Sequence, residues 1–313
     1  MKKRSNCLII SILIIFILLV TGDINRIAKA DSINTSSSTE WIQSVNQAMS
    51  CFKDKGGYCT SRKIPAGFTQ TTWMGMDKAV DVQKNKTIID VDQARPSFCS
   101  SAVYMLFLKS LSIWSTQYNH SISYLSWTNL KPYTMPNEKY PIQQDGEGAW
   151  GMANSNGPGF AVLINKLKMG SNYYVGLPSE YSSSNERISA FKQGRRCDVI
   201  KMFWNDHVGK DERGHIGIYL GMQEKLNPST NKQELYVYWW TSNGSKTDIN
   251  AGYGIGCAPI SKIRRAVFTR ITNPESINNV EKIAPTDKDY LLYNLGSSIN
   301  ISSDTVKSIC NIQ

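Results

Sequence analysis

Cys99 sits in the run Ala94-Arg95-Pro96-Ser97-Phe98-Cys99-Ser100-Ser101, where a helix should begin. After a gap of 116 positions, Gly214-His215-Ile216-Gly217-Ile218-Tyr219-Leu220-Gly221 reads as a strand that opens on a histidine. A thiol at a helix start and an imidazole at a strand start suit a thiol hydrolase. The helix dipole and an adjacent imidazolium both favour thiolate, which is the attacking species. In that chemistry Cys99 attacks an amide carbonyl, and His215 accepts and returns the proton. The backbone N–H of Cys99, near the helix start, helps bind the oxyanion, and water then hydrolyses the thioester. Taken singly, each residue has a plainer reading: a disulfide half or core thiol for Cys99, a structural imidazole for His215. Their pairing, each in the right local setting, points to catalysis. His207, in Trp204-Asn205-Asp206-His207, is a rival base on a loop after a strand, and His120 in a polar loop reads as surface.

A base needs an orienter. If the His215 strand and the strand over 234–241 form a hairpin centred near Pro228, residue 215 falls beside Thr241, Ser242 and Asn243. Asn243 is the choice, because an amide carbonyl accepts from an imidazole N–H; Ser242 is next and Thr241 remains open.

Several elements must position these groups. Trp41 to Phe52 has helical spacing, and Thr87 to Val91 is the clearest strand in 53–96. A helix runs from after Pro96 to about Trp114, with Ser97 as its cap and Ala102, Val103, Leu106, Phe107 and Leu111 on one apolar face. Residues 115–148 are polar and read as a long loop or insertion, and Asn154 to Gly159 is turn chemistry that shapes a loop over the cleft. Phe160 to Met169 is helical, closed by Gly170; Ser184 to Gln193 is a short helix closed by Gly194. Strands follow at Cys197–Trp204, His215–Gly221, Glu234–Thr241 and Ala266–Ile271, and residues 273–313 form a polar tail with two weak helical pieces. Helices first and antiparallel strands after make an α+β pattern, with helices packed on one side of a sheet or half-barrel. The strand block is rich in aromatics, which favours sheet-core packing over ligand stacking. Trp150, Asn156 and Trp204 are the candidates for a substrate-facing wall.

Composition narrows the class. Lys2, Lys3 and Arg4 precede an apolar run from Cys7 to Val20 broken only by Ser11, and Ala28-Lys29-Ala30 ends in a small-x-small pattern. This predicts a cleaved signal peptide over 1–30 and an exported protein, periplasmic or extracellular, with no stable membrane insertion after cleavage. The formal net charge is +10, and loss of 1–30 removes five bases and one acid, leaving +6. That suits work near an anionic envelope. Without a dense Lys/Arg tract or an aromatic–basic module, nucleic acid is not expected as a partner. Six cysteines remain after cleavage (51, 59, 99, 197, 257 and 310), with Cys51 and Cys59 the easiest disulfide to propose. There is no His-Glu-x-x-His, no Cys-x-x-Cys pair and no Gly-x-Ser-x-Gly. Neither a metal, another cofactor nor a serine nucleophile of that type is expected.

Gly194-Arg-Arg-Cys-Asp198-Val-Ile-Lys-Met-Phe203 followed by Gly214-His215-Ile-Gly-Ile-Tyr-Leu-Gly221 resembles the strand pair of the NlpC-type cell-wall cysteine peptidases. Gly252 to Ile255 and Ile263 to Val267 look like that family's closing segment, so the resemblance spans roughly 86–271. It implies a papain-like fold, a nucleophilic Cys99, a base at His215, a third polar residue on the next strand, and hydrolysis of peptidoglycan stem-peptide amides. The chain departs from the pattern in three places. Phe98-Cys99-Ser100-Ser101 replaces the usual Asp-Cys-Ser-Gly, Cys197 stands where Gly is expected, and the long Cys-to-His gap implies an insertion around 115–190. The expected organisation is a signal peptide (1–30), an N-terminal segment packed on the core (31–85), a papain-like cysteine hydrolase domain (86–272) and a C-terminal tail (273–313). A transglutaminase-like or toxin-like enzyme acting on proteins, or a non-catalytic wall-binding protein with Cys99 in a disulfide, are the alternatives.

Overall fold

The computed structural model describes residues 36–132, 147–228, 231–284 and 299–312; the expected signal peptide lies outside them. Over these residues the helices are α1 (Ser36–Ser50), α2 (Thr72–Ala79), α3 (Cys99–Gln117), α4 (Tyr124–Leu130), α5 (Gly148–Asn154), α6 (Gly159–Leu167), α7 (Ser184–Phe191) and α8 (Ser303–Ile309). The strands are β1 (Lys55–Tyr58), β2 (Val80–Gln83), β3 (Lys86–Ile89), β4 (Gly170–Val175), β5 (Val199–Phe203), β6 (Gly214–Asn227), β7 (Lys232–Asn243), β8 (Asp248–Pro259) and β9 (Arg265–Ile271). β2 and β3 form a separate hairpin, and the other strands make one antiparallel sheet in the order β1-β8-β7-β6-β5-β9-β4. The architecture is α+β.

α3 is the pillar against which this sheet is set. Its sequence reads Cys-Ser-Ser-Ala-Val-Tyr-Met-Leu-Phe-Leu-Lys-Ser-Leu, so apolar residues occur on every side rather than on one stripe. A helix of that kind is covered all round. Ala102 through Leu108, Leu111 and Trp114 are all buried. Each large side chain contributes on the order of 1.5–3 kcal/mol by leaving water. α1 lies along α3, with Trp41 edge-on to Phe107 at 6.0 Å between ring centroids.

The described residues of 115–148 differ from the loop expected of them. α3 continues to Gln117, and α4 drives Trp127 and Leu130 into the core, where Asn129 donates to the carbonyls of Val280 and Ile283. α5 and α6 are also core elements, and β4 closes the sheet beside β9. The described residues between Cys99 and β5 are therefore packed structure, and 133–146 lie outside them. The described residues of the expected tail form two helical pieces that pack on the core. Ile277, Val280 and Ile283 join the main core, and Val306 and Cys310 pack with Phe203 and Val208. The N-terminal segment supplies an edge strand, β1, to the same sheet.

Two backbone features set the register at the site. β6 and β7 pair as Gly221↔Tyr238 but as Ile218↔Trp240, because Leu220 is an extra residue in β6. Such a bulge shifts every later pair by one. Carried to the strand ends, the shift sets Asn243, not Gly244, across from His215. The second feature is Cys197, which has φ of 75° at the entry to β5. A β-carbon in this left-handed region costs on the order of 1–2 kcal/mol, and the glycine of the cell-wall peptidase pattern would relieve it.

All six described cysteines are free thiols, so the Cys51–Cys59 bridge is not formed. Cys51 ends α1 with its thiol turned to the Gln47 carbonyl, while Cys59 is buried against the Ser61 carbonyl. No helix among the described residues is long and apolar enough to cross a membrane.

Candidate active site

The start of α3 is strapped to β7 by two side-chain bonds. Ser97 donates to the Ser242 hydroxyl at 2.8 Å, and Thr241 donates to the Cys99 carbonyl at 3.2 Å. Ser97 is thus not the helix cap. Phe98 occupies that position, and its N–H donates to the Ser101 hydroxyl at 2.8 Å. Cys99 is the first helical residue, where N–H groups have no partner within the helix.

The structure brings together the three residues expected to do chemistry. The Cys99 thiol comes close enough to the His215 side chain and to the backbone N–H of Ile216 for both to favour its anion. On the other side of the ring, His215 Nε2 lies 3.3 Å from Asn243 Oδ1. The orientation of that amide follows from its other partners. Trp239 Nε1, which can only donate, reaches Asn243 Oδ1 at 2.9 Å, and Asn243 Nδ2 donates to the Gly254 carbonyl at 2.8 Å. Asn243 therefore offers His215 an acceptor, which places the proton on Nε2 and leaves Nδ1 as the basic nitrogen for the thiol. Of the other two residues considered for this role, Thr241 and Ser242 hold the helix start instead. Trp204 stacks beside His215 with centroids 6.5 Å apart, and Trp239 stands edge-on to it at 5.7 Å.

Competing effects set the charge state of Cys99. Burial pushes its thiol up; the hydrogen bond and charge of His215, the charge of Lys201 and the Ile216 N–H pull it down, and the result is about 7 against an ordinary 9.0. Tyr58 was not expected here. β1 bridges in parallel to Ser97, and this brings the Tyr58 hydroxyl into hydrogen-bonding contact with Cys99. Burial first, then the neighbouring thiol, raises the Tyr58 pKa. The phenol stays protonated and can donate to negative charge at the sulfur or at a nearby oxyanion.

Cys99 opens on a cavity of about 340 Å³. Asn156 lines it as expected, held by a bond from its side chain to the Gly209 carbonyl at 3.1 Å. Arg62, Ser100, Lys201 and Glu212 are also on its wall. Trp204 flanks the base rather than lining this cavity. Trp150 is not a substrate contact. It is 0% exposed and packs on Tyr104 and Phe98, because α5 turns that face into the core. His207 is exposed on its loop next to Asp206. His120, expected at the surface, is half-buried; it stacks on Trp114 at 4.0 Å and bonds Glu40 at 2.8 Å. Among the described residues, no three of His, Cys, Asp or Glu gather as a metal site would require.

Some of what sequence reasoning missed was within reach. Trp239 lies four residues before Asn243 on one strand, so strand periodicity puts both on one face. Lys201 is a charged residue inside an otherwise apolar strand, Val-Ile-Lys-Met-Phe, and that is a signal. Tyr58 gives none, since Lys-Gly-Gly-Tyr has no readable period.

In comparisons with known proteins, no family model, no curated protein and no solved structure matches this chain.

Proposed function

We propose that this protein is an exported cysteine hydrolase of papain-like fold that cleaves amide bonds in peptidoglycan stem peptides. The single observation that carries the reading is the gathering of Cys99, His215 and Asn243 at one place, with His215 beside the thiol and its Nε2 3.3 Å from Asn243 Oδ1. Nucleophile, base and orienter in that order are the arrangement acyl transfer from an amide needs. Cys99 attacks as thiolate, the imidazolium of His215 protonates the leaving amine, and the Cys99 N–H and the Tyr58 hydroxyl, which lie against each other beside the sulfur, are the donors nearest to the oxyanion. Water, deprotonated by His215, then releases the acid from the thioester.

The substrate assignment rests on the resemblance of the His215 strand pair to the cell-wall peptidases. The basic groups on the cavity wall suit a substrate rich in carboxylates, as stem peptides are. Export rests on the basic-apolar-small pattern of residues 1–30.

Purified protein lacking residues 1–30 is incubated with muropeptides and the products are separated by mass. The expected result is new amine and carboxylate ends with wild type, and loss of at least about 10³-fold with Cys99→Ala. Cleavage that survives Cys99→Ala contradicts the mechanism. Intact muropeptides alongside activity on protein glutamine side chains would redirect the substrate to proteins.

A further inference from the structure

The cavity beside Cys99 contains an ion pair that the Cys–His–Asn series does not use. Lys201 lies on β5 directly opposite Ile216 of β6, the residue whose N–H meets the Cys99 sulfur. Its ammonium donates to Glu212 Oε1 at 2.7 Å, and the two side chains are only 16% and 6% exposed. The other oxygen of Glu212 accepts from the backbone N–H groups of Gly157 and Gly209. One carboxylate thus ties together β5, the turn before α6 and the loop before β6, and it clamps the lysine where it is. Gly214 leaves the room, since a β-carbon there would stand 3.0 Å from the Lys201 nitrogen.

Burying such a pair carries a desolvation cost that apolar residues of similar volume would avoid. Here the pair sits on the wall of the cavity onto which Cys99 opens. We propose that Lys201 is the second cation of the active site: its ammonium, clamped by Glu212 on the wall of the cavity that Cys99 also lines, stabilises negative charge on the sulfur and on the oxyanion formed from the substrate. This rests on the reading of Cys99 as the nucleophile. The groups that bear on the sulfur are His215 and the Ile216 N–H from β6, Tyr58 from β1 and Lys201 from β5, with Arg62 and Glu212 on the same cavity wall. Tyr58 is neutral. Glu212 is spent on three donors and moderates, without cancelling, the field of Lys201. The position of the Cys99 thiol, drawn down in part by Lys201, agrees with this.

The test is the pH profile of iodoacetamide capture, in which the Cys99 thiolate displaces iodide, read by mass on the peptide that carries Cys99. Wild type, Lys201→Gln and Lys201→Arg are compared as intact proteins. Glutamine removes the charge and keeps an amide donor one bond shorter, while the bonds of Glu212 to the Gly157 and Gly209 N–H groups are left in place. Expected is a wild-type midpoint near 7. Lys201→Gln should raise it by about one unit, with roughly three- to fourfold slower capture about a unit below the wild-type midpoint. Lys201→Arg should retain capture within about twofold, because the charge is kept. A Lys201→Gln profile that superposes on wild type overturns the proposal. So does a Lys201→Arg profile displaced as far as that of Lys201→Gln, which would mean geometry and not charge. A wild-type midpoint at an ordinary thiol value is a separate failure, that of Cys99 as nucleophile.

Discussion

Cys197 and Cys310 on one side are buried thiols and Cys99 on the other is a part-buried one at a cavity wall, and they respond in opposite directions. Cys197 packs against the α1 region of the main core and Cys310 among Phe203, Val208 and Val306; burial pushes both thiols up to about 12. Burial also acts on Cys99, yet His215, Lys201 and the Ile216 N–H bring that thiol to about 7. The apolar interior alone makes a cysteine inert. Reactivity arises where the same burial is combined with groups that favour the anion, because low dielectric strengthens their effect as it weakens that of water.

The largest consequence is a difference in alkylation within one molecule. At pH 7 the thiolate fractions implied by pKa values of about 7 and about 12 differ by about 10⁵, and the weaker intrinsic nucleophilicity of the low-pKa thiolate returns about 10² of that. Cys99 should therefore be captured at least about 10²-fold faster than Cys197 or Cys310, measured peptide by peptide before unfolding. Similar rates at all three would dissolve the distinction.

Removing the group that contributes most to it comes next. His215→Ala should lower hydrolysis by at least about 10², the scale of lost general acid–base catalysis. It should also move the Cys99 capture midpoint toward the ordinary thiol value. Because the Cys99 pKa is depressed, wild-type activity should rise with pH through about 7 and lose about tenfold for each unit below it. A flat profile across that range would mean the thiol is not the titrating group.

Asn243→Ala removes one hydrogen bond to the imidazole, about 1 kcal/mol, so a five- to tenfold fall in kcat is expected. Trp239→Phe, which deletes the donor that fixes the amide, should fall in the same direction by less. The smallest effect belongs to the inert thiols. Cys310→Ala should leave hydrolysis within about twofold and reduce unfolding free energy by about 1–2 kcal/mol in a denaturant titration, through a small cavity.

Which parts could be read from sequence follows from how strongly local chemistry constrains them. α3 and the His215 strand were legible because long apolar runs and a polar residue at the start of each leave few alternatives. Asn243 was legible only as one of three, since counting from a turn near Pro228 cannot see the bulge at Leu220 that settles the register. Trp150 was misread because aromatic residues are equally suited to clefts and cores, and only the packing of α5 distinguishes them. Tyr58 was missed because it reaches the thiol through a parallel bridge between β1 and Ser97, a long-range contact with no local signature. The polar stretch after Gln117 hid a buried helix, α4, and the two helical pieces expected after 273 pack more closely on the core than their polar composition suggests. Asn129, for example, satisfies two carbonyls in the interior and so reads as loop chemistry while being core structure.

The most direct test of Cys99 as a nucleophile is its thiolate absorbance near 240 nm, titrated as the difference between wild type and Cys99→Ala in the native protein. A single transition centred near 7 is the expected result. A transition at or above the ordinary thiol value of 9.0, or no difference between the two proteins, would contradict it.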